Sequence, residues 1–128
     1  NLFTLGAFYG DPAYRERAQD MLAAVQDSMQ RYPGQYSNWM HLALWLDAPF
    51  YEAVITGPEA GEKLTSLQEH YLPHVLLAAS EGPADVPLFE NRHSPDTTRI
   101  FICQFGQCRQ PVAEVSEALQ ILQLREHT

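Results

Sequence analysis

The apolar pattern changes period once, at Pro49, and this change constrains the fold more than any other feature of the chain. Before it, apolar residues recur at helical spacing; after it, β-branched runs alternate with helical ones. Leu2, Phe3, Leu5 and Phe8 fit the last turns of a helix that stops at Gly10. Asp11 then caps a second helix with Pro12 at its first position, where the missing N–H costs nothing. Tyr14, Ala18, Met21, Leu22, Val25 and Met29 make its apolar stripe, Arg15, Glu16, Arg17 and Asp20 its charged face, and Pro33-Gly34 its end. Ser37 is placed to cap a third helix, Asn38 to Leu46, that is apolar nearly all round. Such a helix needs burial on several sides, and the few helices here cannot cover it completely. Partner helices elsewhere in a longer protein, or self-association through the residues before Pro49, are the expectation.

After Pro49, Tyr51 to Thr56 reads as a strand ended by Gly57-Pro58. Ala60 to Tyr71 reads as a helix with Leu64, Leu67 and Tyr71 on one stripe, and His74 to Ala79 as the next strand. Strand, helix, strand is a βαβ unit, with two parallel strands and a right-handed crossover. Residues 82–98 carry three prolines and are expected to be loop, apart from one helical turn at Pro87 to Asn91. Arg99 to Cys103 forms a third strand, and Glu114 to Arg125 a last helix with Val115, Ala118, Leu119 and Leu122 inward. The expected fold class is α/β, divided into a helical segment at 1–48 and a small βαβ-βα unit at 49–128 with a mainly parallel sheet.

A chain of 128 residues, 45% hydrophobic, fits one domain with a real core. Its net charge of −8 argues against a binder of nucleic-acid phosphates and against docking on anionic membranes. Nothing approaches the roughly 20 consecutive apolar residues that span a bilayer. The first residues lack the basic start and apolar run of a secretory leader. The opening Asn1-Leu2-Phe3, already within a helical pattern, is what a piece of a longer protein would show. Two cysteines make no disulfide framework, so a reducing, cytoplasmic compartment is expected.

Few residues offer chemistry. Gly57-Pro58-Glu59-Ala60-Gly61 sits where a phosphate loop would sit but lacks its glycine spacing and its Gly-Lys-Ser/Thr ending, so it reads as a tight turn. Glu59 there complements the helix dipole. His70 and His74 have a metal-binding spacing that Pro73 disrupts, and His41 is expected to be partly buried. Tyr32, Tyr36, Trp39, Trp45, Phe50 and Tyr51 could line a sugar site, but packing between layers is the better reading. Cys103 and Cys108, the only two cysteines, lie within FICQFGQCRQPV. Gly106 can turn the chain so that they face each other across a hairpin. Two free thiols, close enough to bridge on oxidation, are expected; a redox or regulatory pair is the first alternative. Half of a zinc site is the second, although no further ligand pair follows.

FICQFGQCRQPV resembles the end of the thioredoxin-domain-containing proteins of the spermatogenesis-associated-protein-20 type. These close with a strand, Cys, a short loop, Cys, a Pro-Val pair and a helix. Asn1-Leu2 with Gly10-Asp11-Pro12-Ala13-Tyr14, then Tyr36-Ser37-Asn38-Trp39, are similar to the helical hairpins that precede this end. Phe50-Tyr51-Glu52 to Gly57 and His70-Tyr71-Leu72-Pro73 are similar to its late strand and helix, with His74 where a polar Asn-Lys often follows. The resemblance implies a thioredoxin-like domain followed by an α/α toroid of the six-hairpin, N-acylglucosamine-2-epimerase-like type, of which this chain is the C-terminal part. It carries no catalytic residue, cofactor or metal onto this chain, and its implied partner is the remainder of the parent chain. The function expected is a non-catalytic structural module. A part of a carbohydrate-active enzyme, or a thiol redox element at Cys103 and Cys108, stand as alternatives.

Overall fold

The computed structural model describes residues 1–47, 49–92, 95–104 and 107–123. Helix α1 spans Leu2–Tyr9 and stops at Gly10, whose φ of 65° places it in the left-handed region that ends helices. Helix α2, Pro12–Arg31, starts as its sequence dictates: the Asp11 carboxylate accepts from the Ala13 N–H at 2.9 Å. Helix α3 spans Ser37–Asp47, so Ser37 lies within its first turn rather than capping it from outside.

The helical faces depart from their expected roles. Of the α2 stripe only Ala18 is fully buried, whereas Tyr14 and Met21 are exposed and Arg15 turns partly inward. On α3, Met40, Leu44 and His41 are exposed, so the expectation of a partly buried His41 is corrected. Trp45 packs with Phe3 and Phe50, ring centroids 5.6 and 5.2 Å away, and Phe3 meets Phe50 edge-on at 4.9 Å.

A four-stranded sheet follows in the order β2-β1-β3-β4, formed by β1 (Tyr51–Thr56), β2 (Val75–Ser80), β3 (Arg99–Gln104) and β4 (Gln107–Cys108). Strands β1 and β2 are parallel and joined by helix α4, Ala60–Gln68. The other two pairings, β1 with β3 and β3 with β4, are antiparallel. The expectation of a mainly parallel sheet is therefore wrong; most of this sheet is antiparallel. The cause lies in the connection from β2 to β3. A parallel third strand needs a crossover that carries the chain back along the sheet, usually a helix. The described residues between Ser80 and Arg99 form only a short 3-10 turn, Pro87–Phe89. The chain therefore re-enters the sheet at the end where β2 left it, with Arg99 beside Thr56.

Strand β1 is buried at every position. On one face, Tyr51, Ala53 and Ile55 join Ile100 and Ile102 beneath α4 and helix α5 (Val115–Gln123), which contribute Leu67, Ala118 and Leu122. On the other, Val54 and Ala78 pack with Leu88 of the 3-10 turn and Phe8 of α1. Helix α4 ends before Tyr71, which is 83% exposed and takes no part in the inward stripe expected of it. The expected turn at Gly106 and the run of the last helix to Arg125 lie outside the described residues.

Candidate functional site: a cross-strand disulfide

Strand β3 divides its hydrogen bonds between its two neighbours. Ile100 exchanges N–H and C=O bonds with Val112, and the Ile102 carbonyl accepts from the Arg109 N–H at 2.9 Å. Even-numbered residues of β3 thus bond towards the β4 side. Cys103, opposite Cys108, is a non-hydrogen-bonded pair of that ladder, the kind in which facing residues approach most closely. Their Cα atoms are 3.9 Å apart and their sulfurs are joined, S–S 2.10 Å. The expectation of two free thiols is thereby corrected to a closed bridge, formed because the register places the two Cβ atoms directly across from each other.

The antiparallel direction of β3 also moves the pair. Cys103 lies opposite Glu52 near the start of β1, at the far end of the sheet from Gly57. A parallel β3, as a mainly parallel sheet would require, would have brought the cysteines to the same carboxyl edge as the Gly57 turn; the antiparallel pairing puts them at opposite ends. Glu52, Cys103 and Cys108 instead form a row across three strands, and directly paired residues share a face of the sheet.

The two sulfurs live in different surroundings. Cys103 is 1% exposed within the sheet, whereas Cys108 is exposed on the two-residue edge strand. Arg92 reaches the outer sulfur: its Nη2 donates to Cys108 Sγ at 3.0 Å and its Nη1 to the Leu88 carbonyl. The same Arg92 lines a cavity of about 520 Å³ with Phe3 and Arg15 from the α1–α2 hairpin, Glu52 from β1, and Leu88 and Glu90. Sequence reasoning missed Arg15, Glu52 and Arg92. Glu52 carried a signal, a carboxylate inside an otherwise apolar strand. Arg15 carried a weaker one, since it stands three residues before Ala18 on the helix. Arg92 carried none.

The other candidates stay apart. Gly57 makes a turn in which the Glu59 N–H donates to Thr98 Oγ1 at 2.8 Å. His74 Nε2 lies 3.2 Å from the Leu122 carbonyl oxygen, while His70 is exposed. Among the described residues no three His, Cys, Asp or Glu side chains gather as a metal-binding group. Of the aromatic set, Trp45 and Phe50 pack with Phe3, Tyr51 belongs to the core on the opposite face, and Tyr32 is exposed. Among the described residues no helix is long and apolar enough to cross a membrane. No protein-family model matches this chain, and neither curated proteins nor solved structures provide a match, so the family resemblance stands on the quoted residues alone.

Proposed function

We propose that the chain is a thiol–disulfide redox element in which Cys108 exchanges with external thiols and Cys103 resolves. The observation that carries this reading is the asymmetry of the bridge, which joins a buried residue, Cys103, to an exposed one, Cys108, whose sulfur is held against a guanidinium. In the oxidised state an incoming thiolate can reach Cys108 Sγ; the S–S bond breaks and its electron pair leaves on Cys103 Sγ. In the reduced state Arg92 favours the thiolate of Cys108, the form that attacks a disulfide. That attack breaks the substrate S–S bond, releases its first half as a thiolate and leaves the second half in a mixed disulfide with Cys108; Cys103 thiolate then attacks Cys108 Sγ, closes the bridge and expels the second half as a thiolate. A purely mechanical role is a poorer fit. The bridge spans five positions, and closing so short a loop stabilises by only about 2 kcal/mol in the chain-entropy account. The structural-module and carbohydrate readings gain nothing from this arrangement. In the cytoplasmic setting expected from the sequence, small thiols would turn such a bridge over.

Equilibration of the native protein in thiol–disulfide buffers, followed by alkylation and mass measurement, tests the reading. The expected midpoint is above about −300 mV, since structural disulfides lie lower and exposed ones higher. A midpoint below that value, or a bridge that opens only on unfolding, would sink the proposal.

A further inference from the structure

We propose that strand β2 is an association edge, at which a second copy of this chain pairs and continues the sheet. The inference does not depend on the redox reading, and it concerns the edge of the sheet away from the bridge. In the order β2-β1-β3-β4, strand β2 has a neighbour on one side only. The Tyr51 N–H donates to the His74 carbonyl at 2.9 Å, and the Gly57 N–H to the Ser80 carbonyl at 3.2 Å. Even-numbered residues of β2 thus bond towards β1, and the N–H and C=O groups of Val75, Leu77 and Ala79 point to the open side. The Val75 N–H is held by the Leu72 carbonyl at 3.3 Å; among the described residues the outward groups of Leu77 and Ala79 bond nothing. Natural edges are ordinarily blunted by charge, proline, a bulge or shortness. Strand β2 has none of these: Val75-Leu76-Leu77-Ala78-Ala79-Ser80 pairs with β1 at every position without a break. The opposite edge, β4, is two residues long and tied to β3 by the disulfide.

The strand is complementary to itself. Its outward residues stand symmetrically about Leu77, so a two-fold axis there sets the two copies of β2 antiparallel. Leu77 meets Leu77 of the second copy and the two exchange both bonds, while each Ala79 N–H finds the Val75 carbonyl across the axis. The side chains agree with that register: Val75 faces Ala79 and Leu76 faces Ala78, a large residue against a small one on each face. No charge lies within the strand, so the pairing opposes no like charges. An unrelated extended peptide would have to supply this complement, whereas a second copy brings it by symmetry. Two four-stranded sheets then become one, with only the short β4 strands at its edges, and the assembly closes at two copies. A strand of this length makes a contact about 20 Å long, at the small end of specific interfaces. The dimer is accordingly transient, half formed on the order of 100 μM.

Sedimentation velocity of the purified protein over a concentration series is expected to show one chain passing to two, and no larger species. At about 1 mM the Leu77 and Ala79 amides are expected to exchange about fivefold more slowly than at about 10 μM, because protection follows the fraction paired. Ala79→Pro removes an N–H that bonds nothing in the single chain but makes one bond on each side of the dimer. It is expected to weaken association about tenfold. Leu44→Glu, on the exposed face of α3, is expected to leave association unchanged. A single chain at every concentration up to about 1 mM would overturn the assignment. So would growth beyond two copies, or a dimer in which the two amides stay unprotected. Association that Leu44→Glu abolishes and Ala79→Pro leaves intact would also overturn it, and would place the contact on the helices before Pro49 instead. The wild-type exchange decides the matter even if Ala79→Pro does not fold.

Discussion

Gly57 shows how a single backbone position ties the two halves of the sheet together. Its φ of 127° is one that L side chains rarely adopt, and a Cβ there would lie 2.5 Å from the Thr98 Cα. The close approach lets the Thr98 hydroxyl accept from the Glu59 N–H at the start of α4. Gly57→Ala must therefore strain the backbone and push the strand-entry segment away. A loss of about 3 kcal/mol in urea unfolding is the expected outcome; a loss under 1 kcal/mol would show that the turn relaxes freely. Read as sequence, Gly57-Pro58 disclosed the turn but not its contact, because Thr98 comes to it only through the antiparallel entry of β3. Arg92 was illegible for the same reason, since its partner sulfur lies across the hairpin rather than at any fixed spacing.

At the scale of elements, what was legible followed local periodicity. Strand β1, both βαβ strands and the inward face of α5 were readable because each is defined by its own spacing of apolar residues. Val115, Ala118, Leu119 and Leu122 all reach the core as expected. Strand direction was not readable, because a run such as Arg99 to Cys103 looks the same parallel or antiparallel. Only the connection decides between them, and its lack of a crossover helix was the evidence to weigh. The cysteine site inherited that error: reversing β3 moves Cys103 from the Gly57 end to the Glu52 end. For α5, whose place depends on its apolar stripe, Leu122 offers a direct test. It is fully buried between the sheet and α4. Leu122→Ala is expected to cost about 3 kcal/mol by chemical denaturation, with the circular dichroism of the folded state unchanged.

Over the whole molecule, the question is whether the helical residues before Pro49 and the sheet after it fold together. Phe50, at the junction, is 3% exposed and packs against Phe3 and Trp45, with Leu2, Leu42 and Leu76 around them. The Trp45 indole N–H also donates to the Pro73 carbonyl at 2.8 Å, just before β2. These contacts join helices α1 and α3 to the sheet by a shared apolar cluster rather than by the chain alone, so one cooperative transition is expected. Both tryptophans lie in α3, which makes fluorescence a report on the helices, and amide exchange in β1 reports on the sheet. In the wild type the two signals should give the same unfolding midpoint in urea. Phe50→Ala should lower both together, by about 4 kcal/mol. Fluorescence lost well before the β1 amides exchange would mean that the junction cluster does not couple the two parts.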